Sequence, residues 1–248
     1  MAWMSSDMPR AMRSGALLPG LREPVVAFVL LSLGAAGLLA ATGAALFGPG
    51  ATIAGLAVPG AGAATAAALM QRRYPHAALG ACNGVTLARL ALVALLVMLL
   101  LAARQPHWIV FALAALALSL DGVDGWLARR RGLTSGFGAR FDMEVDSALA
   151  LVLALHAWAG GGAGALVLVL GLPRYAFGAA SLVRPWLARP LPDRFGRKVV
   201  CVLQLGTLIA LQLPLPADMP ATLLVAGVAA ALAWSFGRDV LWLHRTRA

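Results

Sequence analysis

Residues 121–146 read DGVDGWLARRRGLTSGFGARFDMEVD. The stretch joins two apolar segments, 108–128 and 141–160, and holds four of the chain's eight aspartates, so acidic side chains concentrate where one segment ends and the next begins. On helices, Asp121 and Asp124 stand i, i+3 apart and Asp142 and Asp146 i, i+4, and each pair projects from one face. The short turn predicts antiparallel neighbours with four carboxylates converging near one end of the bundle. Such a cluster at membrane depth repels itself and is costly to desolvate, so it requires cations.

Six more apolar segments lie outward from this pair, at 25–47, 51–70, 83–103, 164–183, 199–213 and 221–243. The 248 residues are 61% hydrophobic and 12% charged, with mean hydropathy +0.84, whereas a soluble domain carries about 25% charged residues. A crossing takes roughly 20 apolar residues. The predicted fold is therefore all-α, a polytopic transmembrane bundle of about eight helices with no separate soluble domain. Segment 51–70, interrupted by Pro59 and several glycines, is open to a kinked or re-entrant path. Residues 1–24 lack the order of a signal peptide and carry Arg10, Arg13 and Arg22 among apolar residues, which predicts an interfacial arm lying on the membrane.

The net charge of +10 does not indicate nucleic acid, because the arginines punctuate apolar runs instead of lining one face of a soluble fold. Loops bearing Arg72 and Arg73, then Arg129, Arg130, Arg131 and Arg140, then Arg184, Arg189, Arg194, Arg197 and Lys198, alternate with loops of little positive charge. By the positive-inside rule the basic loops and both termini are cytoplasmic, which agrees with an even number of spans. The expected location is integral to a bacterial inner membrane with the acidic cluster facing the cytoplasm. Cys82 and Cys201 lie far apart without a CxxC partner, so neither a disulfide framework nor a zinc site is expected.

Oxygen-only ligands select hard ions such as Mg²⁺ or Mn²⁺. Asp121, Asp124, Asp142 and Asp146 suffice for two such ions clamping a phosphoryl group. The competing reading is an acid cluster neutralised by Arg129 and Arg140. Gly125 and Gly138 remove side chains where a nucleotide would approach the backbone, and Arg129 offers a forked donor to a diphosphate.

Written as a pattern, the stretch is D-x2-D-G-x2-A-R-x8-G-x3-D-x3-D, which resembles the complete signature of the CDP-alcohol phosphatidyltransferase family at all eight fixed positions. Upstream, Asn83, Thr86 and Arg89 in CNGVTLAR resemble the family's P-N-x-L-T-x-x-R opening, with Cys82 in place of proline. Downstream, RKVVCVLQ at 197–204 resembles G-K-x-K-T-x-x-Q, with Val200 and Cys201 departing from it. The resemblance implies a six-helix core, usually dimeric, over 80–248, preceded by two additional helices over 25–79 and the arm over 1–24. It implies that Asp121, Asp124 and Asp142 hold the two metals, that Asp146 contacts the second and removes the acceptor proton, and that Gly125, Ala128, Arg129, Ser135 and Gly138 line the CDP site. Asn83 and Thr86 join that site on the upstream match, with a helix N-cap as the competing reading of Asn83.

The activity so implied is transfer of a phosphatidyl group from a CDP-linked lipid, CDP-diacylglycerol, to a small alcohol with release of CMP. Glycerol 3-phosphate or another polyol phosphate is the favoured acceptor, with choline, serine, inositol and phosphatidylglycerol as alternatives. Arg174, in the middle of the sixth segment, must face a cavity or an acid. With Arg194, Arg197 and Lys198 it forms the candidate acceptor-binding set. His156, on the apolar outer half of its segment, is read as packed or interfacial and not catalytic. A cation or proton-coupled transporter also places acids inside a bundle, but these acids lie near one interface and no inverted repeat is evident.

Overall fold

The computed structural model describes residues 21–103, 106–161, 164–189, 191–192, 194–214 and 221–246. The interfacial arm expected over residues 1–24 thus lies outside the described residues as far as residue 20. Among the described residues the chain is helical, with α1 (Glu23–Phe47), α2 (Pro49–Arg73), α3 (Ala81–Leu101), α4 (His107–Arg130), α5 (Gly136–Ala159), α6 (Leu168–Gly171), α7 (Pro173–Val183), α8 (Phe195–Ala210) and α9 (Ala221–Arg245).

Helices α1 and α2 form a hairpin that turns at Gly48, whose φ of +83° suits glycine, and Pro49 starts α2 where its missing N–H costs nothing. Despite Pro59, α2 runs as one helix of 25 residues, so the re-entrant path does not occur. The hairpin packs closely on α3. A Cβ on Gly55 would run into the Met98 side chain and lie 3.3 Å from the Met98 backbone nitrogen.

Helix α3 is the centre of the molecule. Half of its membrane-length window is buried, against 22% in α1, α2 and α4. It packs against α1, α2, α4 and α5, whereas α4 and α5 touch each other only slightly. The sequence expectation that α4 and α5 are direct neighbours is therefore modified, because α3 presents its face to both. Lipid tails are as apolar as leucine, so close packing and buried polar contacts hold such a bundle. The His156 ring donates to the Leu96 carbonyl at 2.9 Å, and the Gln212 amide donates to the Leu153 carbonyl at 3.0 Å, joining α5 to α3 and to the end of α8. His156 is accordingly a packed, hydrogen-bonded residue.

Among the described residues five helices, α1, α2, α3, α4 and α9, are long and apolar enough to cross a membrane, and a sixth span arises if Ala165–Gly171 and α7, bent by 62°, count as one. Two of the eight expected segments do not meet that standard. Helix α5 has 24 residues but carries Arg140, Asp142, Glu144 and Asp146 in its first half, and α8 has only 16 residues, about 24 Å of helix.

Candidate active site

The acidic stretch folds as α4, a turn and α5. Gly132, with φ +64°, turns the chain after α4, and Ser135 caps α5 by accepting a 3.0 Å hydrogen bond from the Gly138 N–H. Asp121 and Asp124 project from the second half of α4, and Asp142 and Asp146 from the first half of α5. All four converge on Arg89 of α3. Its Nη1 lies 3.1 Å from Asp121 Oδ1 and 3.1 Å from Asp124 Oδ2, and it donates to Asp142 Oδ1. Nη2 donates to Asp146 Oδ1, and Nε donates to the Ala117 carbonyl at 3.1 Å. The alternative neutralisers considered from sequence, Arg129 and Arg140, are exposed.

Arg89 is wholly buried and the Asp124 side chain is 6% exposed, while those of Asp121, Asp142 and Asp146 are 30–36% exposed. Asp124 is the inner anchor, taking a further 2.9 Å hydrogen bond from Thr86 Oγ1. The other three open outward, and one oxygen from each lies within 4.8 Å of the others. One guanidinium cannot balance four carboxylates in a medium of low dielectric, so the site still favours cations. Hard oxygen donors at this spacing, with no sulfur or imidazole among them, fit a divalent ion such as Mg²⁺ or Mn²⁺.

The expected nucleotide residues gather at the same end. Asn83 and Thr86 are buried on the first two turns of α3. A Cβ on Gly138 would lie 3.2 Å from Ser135 Oγ and 3.5 Å from Asn83 Oδ1, so the glycine keeps a narrow space open between α3 and α5. A Cβ on Gly125 would meet Arg129 Nη1 at 3.3 Å, which places that guanidinium over the bare backbone of α4. Ala128 is half-buried one residue earlier. The Ser135 hydroxyl is engaged in the cap.

The basic candidates divide into two places. Arg194 and Arg197 converge on buried Asp239 of α9, with Nη1 atoms 3.6 Å from Oδ1 and 3.4 Å from Oδ2, and Arg197 also donates to the Pro192 carbonyl. Arg197 stands on the first turn of α8, the helix that packs against both α4 and α5. Lys198 instead borders an apolar hollow with Phe195, Val199, Val202 and Leu203. Arg174 pairs with Glu144. Glu144 is about 200° around α5 from Asp142 at 100° per residue, so Arg174 is held across that helix from the cluster.

Arg89 stands in the upstream motif with no role assigned by the resemblance, although a lone arginine inside an apolar segment is a signal in itself. Asp239 and Tyr74 lie outside any motif, so no local pattern singles them out. The model of the CDP-alcohol phosphatidyltransferase family matches residues 80–237, well over half of the chain. The chain belongs to that family: it is a membrane-type transferase of substituted phosphate groups that acts on CDP-alcohols, in a class that uses divalent cations. Comparison with curated proteins and with solved structures gave no match.

Proposed function

We propose that the chain makes phospholipid by transferring the phosphatidyl group of CDP-diacylglycerol to a polyol phosphate such as glycerol 3-phosphate, releasing CMP at the cytoplasmic face. The convergence of Asp121, Asp124, Asp142 and Asp146 on one buried guanidinium carries this reading. The cytoplasmic orientation rests on the arginine-rich turn between α4 and α5. In this reading α5 and α8 complete the eight spans, residues 80–248 form the catalytic core with α1 and α2 as an addition, and the assembly is a homodimer.

Asp121, Asp124, Asp142 and Asp146 would hold two divalent cations, which supply charge neutralisation for the diphosphate. Asn83, Thr86, Gly125, Ala128, Arg129, Ser135 and Gly138 line the nucleotide side, Arg129 meeting the diphosphate. Arg89 engages Oδ1 of Asp146, so Oδ2 is the oxygen assigned to the acceptor. There Asp146 takes the hydroxyl proton, the acceptor oxygen bonds to the phosphorus bearing the lipid, and the bond from that phosphorus to the bridging oxygen breaks with its electrons leaving on CMP. Arg194 and Arg197 receive the acceptor's phosphate, with Lys198 adding charge at the rim. Arg174, tied to Glu144, takes a smaller share.

The test is CMP release by the purified protein from CDP-diacylglycerol, with Mg²⁺ or Mn²⁺ and each acceptor in turn: glycerol 3-phosphate, inositol and its phosphate, serine, choline and phosphatidylglycerol. Release that needs both a cation and a phosphorylated polyol is expected. No CMP with any acceptor would overturn the reading of CDP-diacylglycerol as the donor.

A further inference from the structure

The phenol of Tyr74 is a hydrogen-bond centre that lies outside the family-matched residues, at the end of α2. Tyr74 is 1% exposed. Its Oη accepts from the Gly80 N–H at 3.2 Å and from the Asn83 side-chain amide Nδ2 at 3.0 Å, and it faces the Ala78 carbonyl at 3.4 Å, to which it can only donate. One hydroxyl hydrogen and two lone pairs are thereby all engaged. This arrangement fixes the Asn83 amide: Nδ2 is committed to the phenol, and Oδ1 is left facing the first turn of α5, where Gly138 has no side chain.

The loop that presents Tyr74 is itself clasped from the chain's N-terminal side. Arg22 donates to the carbonyls of Tyr74 at 2.5 Å and His76 at 3.2 Å, and its backbone N–H donates to Gln71 Oε1 at 3.2 Å. The Tyr74 ring meets the edge of Phe137, which stacks on Phe141, which in turn meets Phe28 of α1. The N-terminal pair of helices therefore touches the start of α5 and the start of α3 through one continuous line of side chains.

We propose that Tyr74 is a positioning residue for the nucleotide site, holding the Asn83 amide so that Oδ1 accepts a hydrogen bond from a donor N–H or O–H of the CDP moiety beside Gly138. The inference rests on the phosphatidyl-transfer reading and adds to it a role for α2, the segment the signature does not include. A purely structural phenol would support the loop without biasing one substrate over the other. A positioning phenol acts on the CDP lipid alone, and only while Asn83 is present.

Steady-state CMP release by the purified full chain separates the two. Tyr74→Phe keeps the ring contacts and should raise the KM for CDP-diacylglycerol about tenfold, the scale of one buried hydrogen bond, with kcat and the acceptor KM within about twofold. In an Asn83→Ala background the same substitution should add nothing, because residues acting through one contact are not additive. An unchanged KM for CDP-diacylglycerol, equal rises for both substrates, or additivity with Asn83→Ala would overturn the proposal. Should Tyr74→Phe fail to fold, Arg22→Gln releases the loop carbonyls and leaves the phenol, and it should shift the same KM in the same direction; no shift overturns it. A wild-type protein that releases no CMP with any acceptor removes the underlying reading, whereas active wild type with an indifferent Tyr74→Phe removes this proposal alone.

Discussion

Asp146 and Asp121 share one guanidinium but are assigned different work, and amide substitutions distinguish them. Asp146→Asn keeps an oxygen for a cation and loses basicity, so it should abolish CMP release while CDP-diacylglycerol binding in Mg²⁺ stays within about threefold of wild type. Asp121→Asn should instead weaken the Mg²⁺-dependent part of that binding. Robust turnover by Asp146→Asn across a wide pH range would remove the general base and leave electrostatic stabilisation alone. Arg89 has a different signature, because it is the buried counter-charge of all four carboxylates. Arg89→Met should destabilise the cation-free protein by roughly 3 kcal/mol, the low end for a broken buried pair since three of the acids are partly exposed. Added Mg²⁺ should then raise the variant's Tm more than the wild type's, because the ion replaces a lost charge. Equal Mg²⁺ shifts in the two proteins would mean that guanidinium and cation do not share a site.

At the level of helices, α8 and α7 carry the arginines that test the acceptor side. Arg197→Ala should raise the acceptor KM about tenfold and leave that of the CDP lipid nearly unchanged, the scale of one lost charged hydrogen bond. Arg174→Ala should change either KM by less than about twofold, since the partly exposed pair with Glu144 contributes under about 1 kcal/mol. The reverse ranking would move the acceptor to the α7 side of α5. The contrast between these arginines was not legible in the sequence. Hydropathy puts Arg174 inside the sixth apolar segment and Arg197 just ahead of the seventh, but it does not give their partners, Glu144 on α5 and buried Asp239 on α9. The acidic constellation was legible, because i, i+3 and i, i+4 spacing on a helix fixes which side chains share a face. What spacing within α4 and α5 does not encode is the third helix against which both rest. Arg89 reaches the cluster because α3 packs on both, a long-range relation absent from any local pattern.

For the whole molecule, the expected orientation puts the turn between α4 and α5 inside the cell. Thr134→Cys, chosen because Ser135 caps α5 and placed in a Cys201→Ala background because Cys201 is exposed, should react with an impermeant thiol reagent only after the membrane is opened. Labelling of intact cells would invert the topology. The all-helical bundle was readable from apolar length, but the count of spans was not, because α5 carries its charges inside the membrane-length segment and α8 falls short of it. The four carboxylates gather in the half of the bundle that holds the turn between α4 and α5. A catalyst built this way in the proposed orientation consumes and delivers lipid on the same side, so each turnover leaves the total number of lipids in that leaflet unchanged while altering the headgroup charge displayed there. The opposite leaflet keeps its old composition. Its surface potential then follows the new headgroups only as fast as lipids cross the bilayer, and that crossing rate, not the turnover of this protein, sets how long the two sides differ.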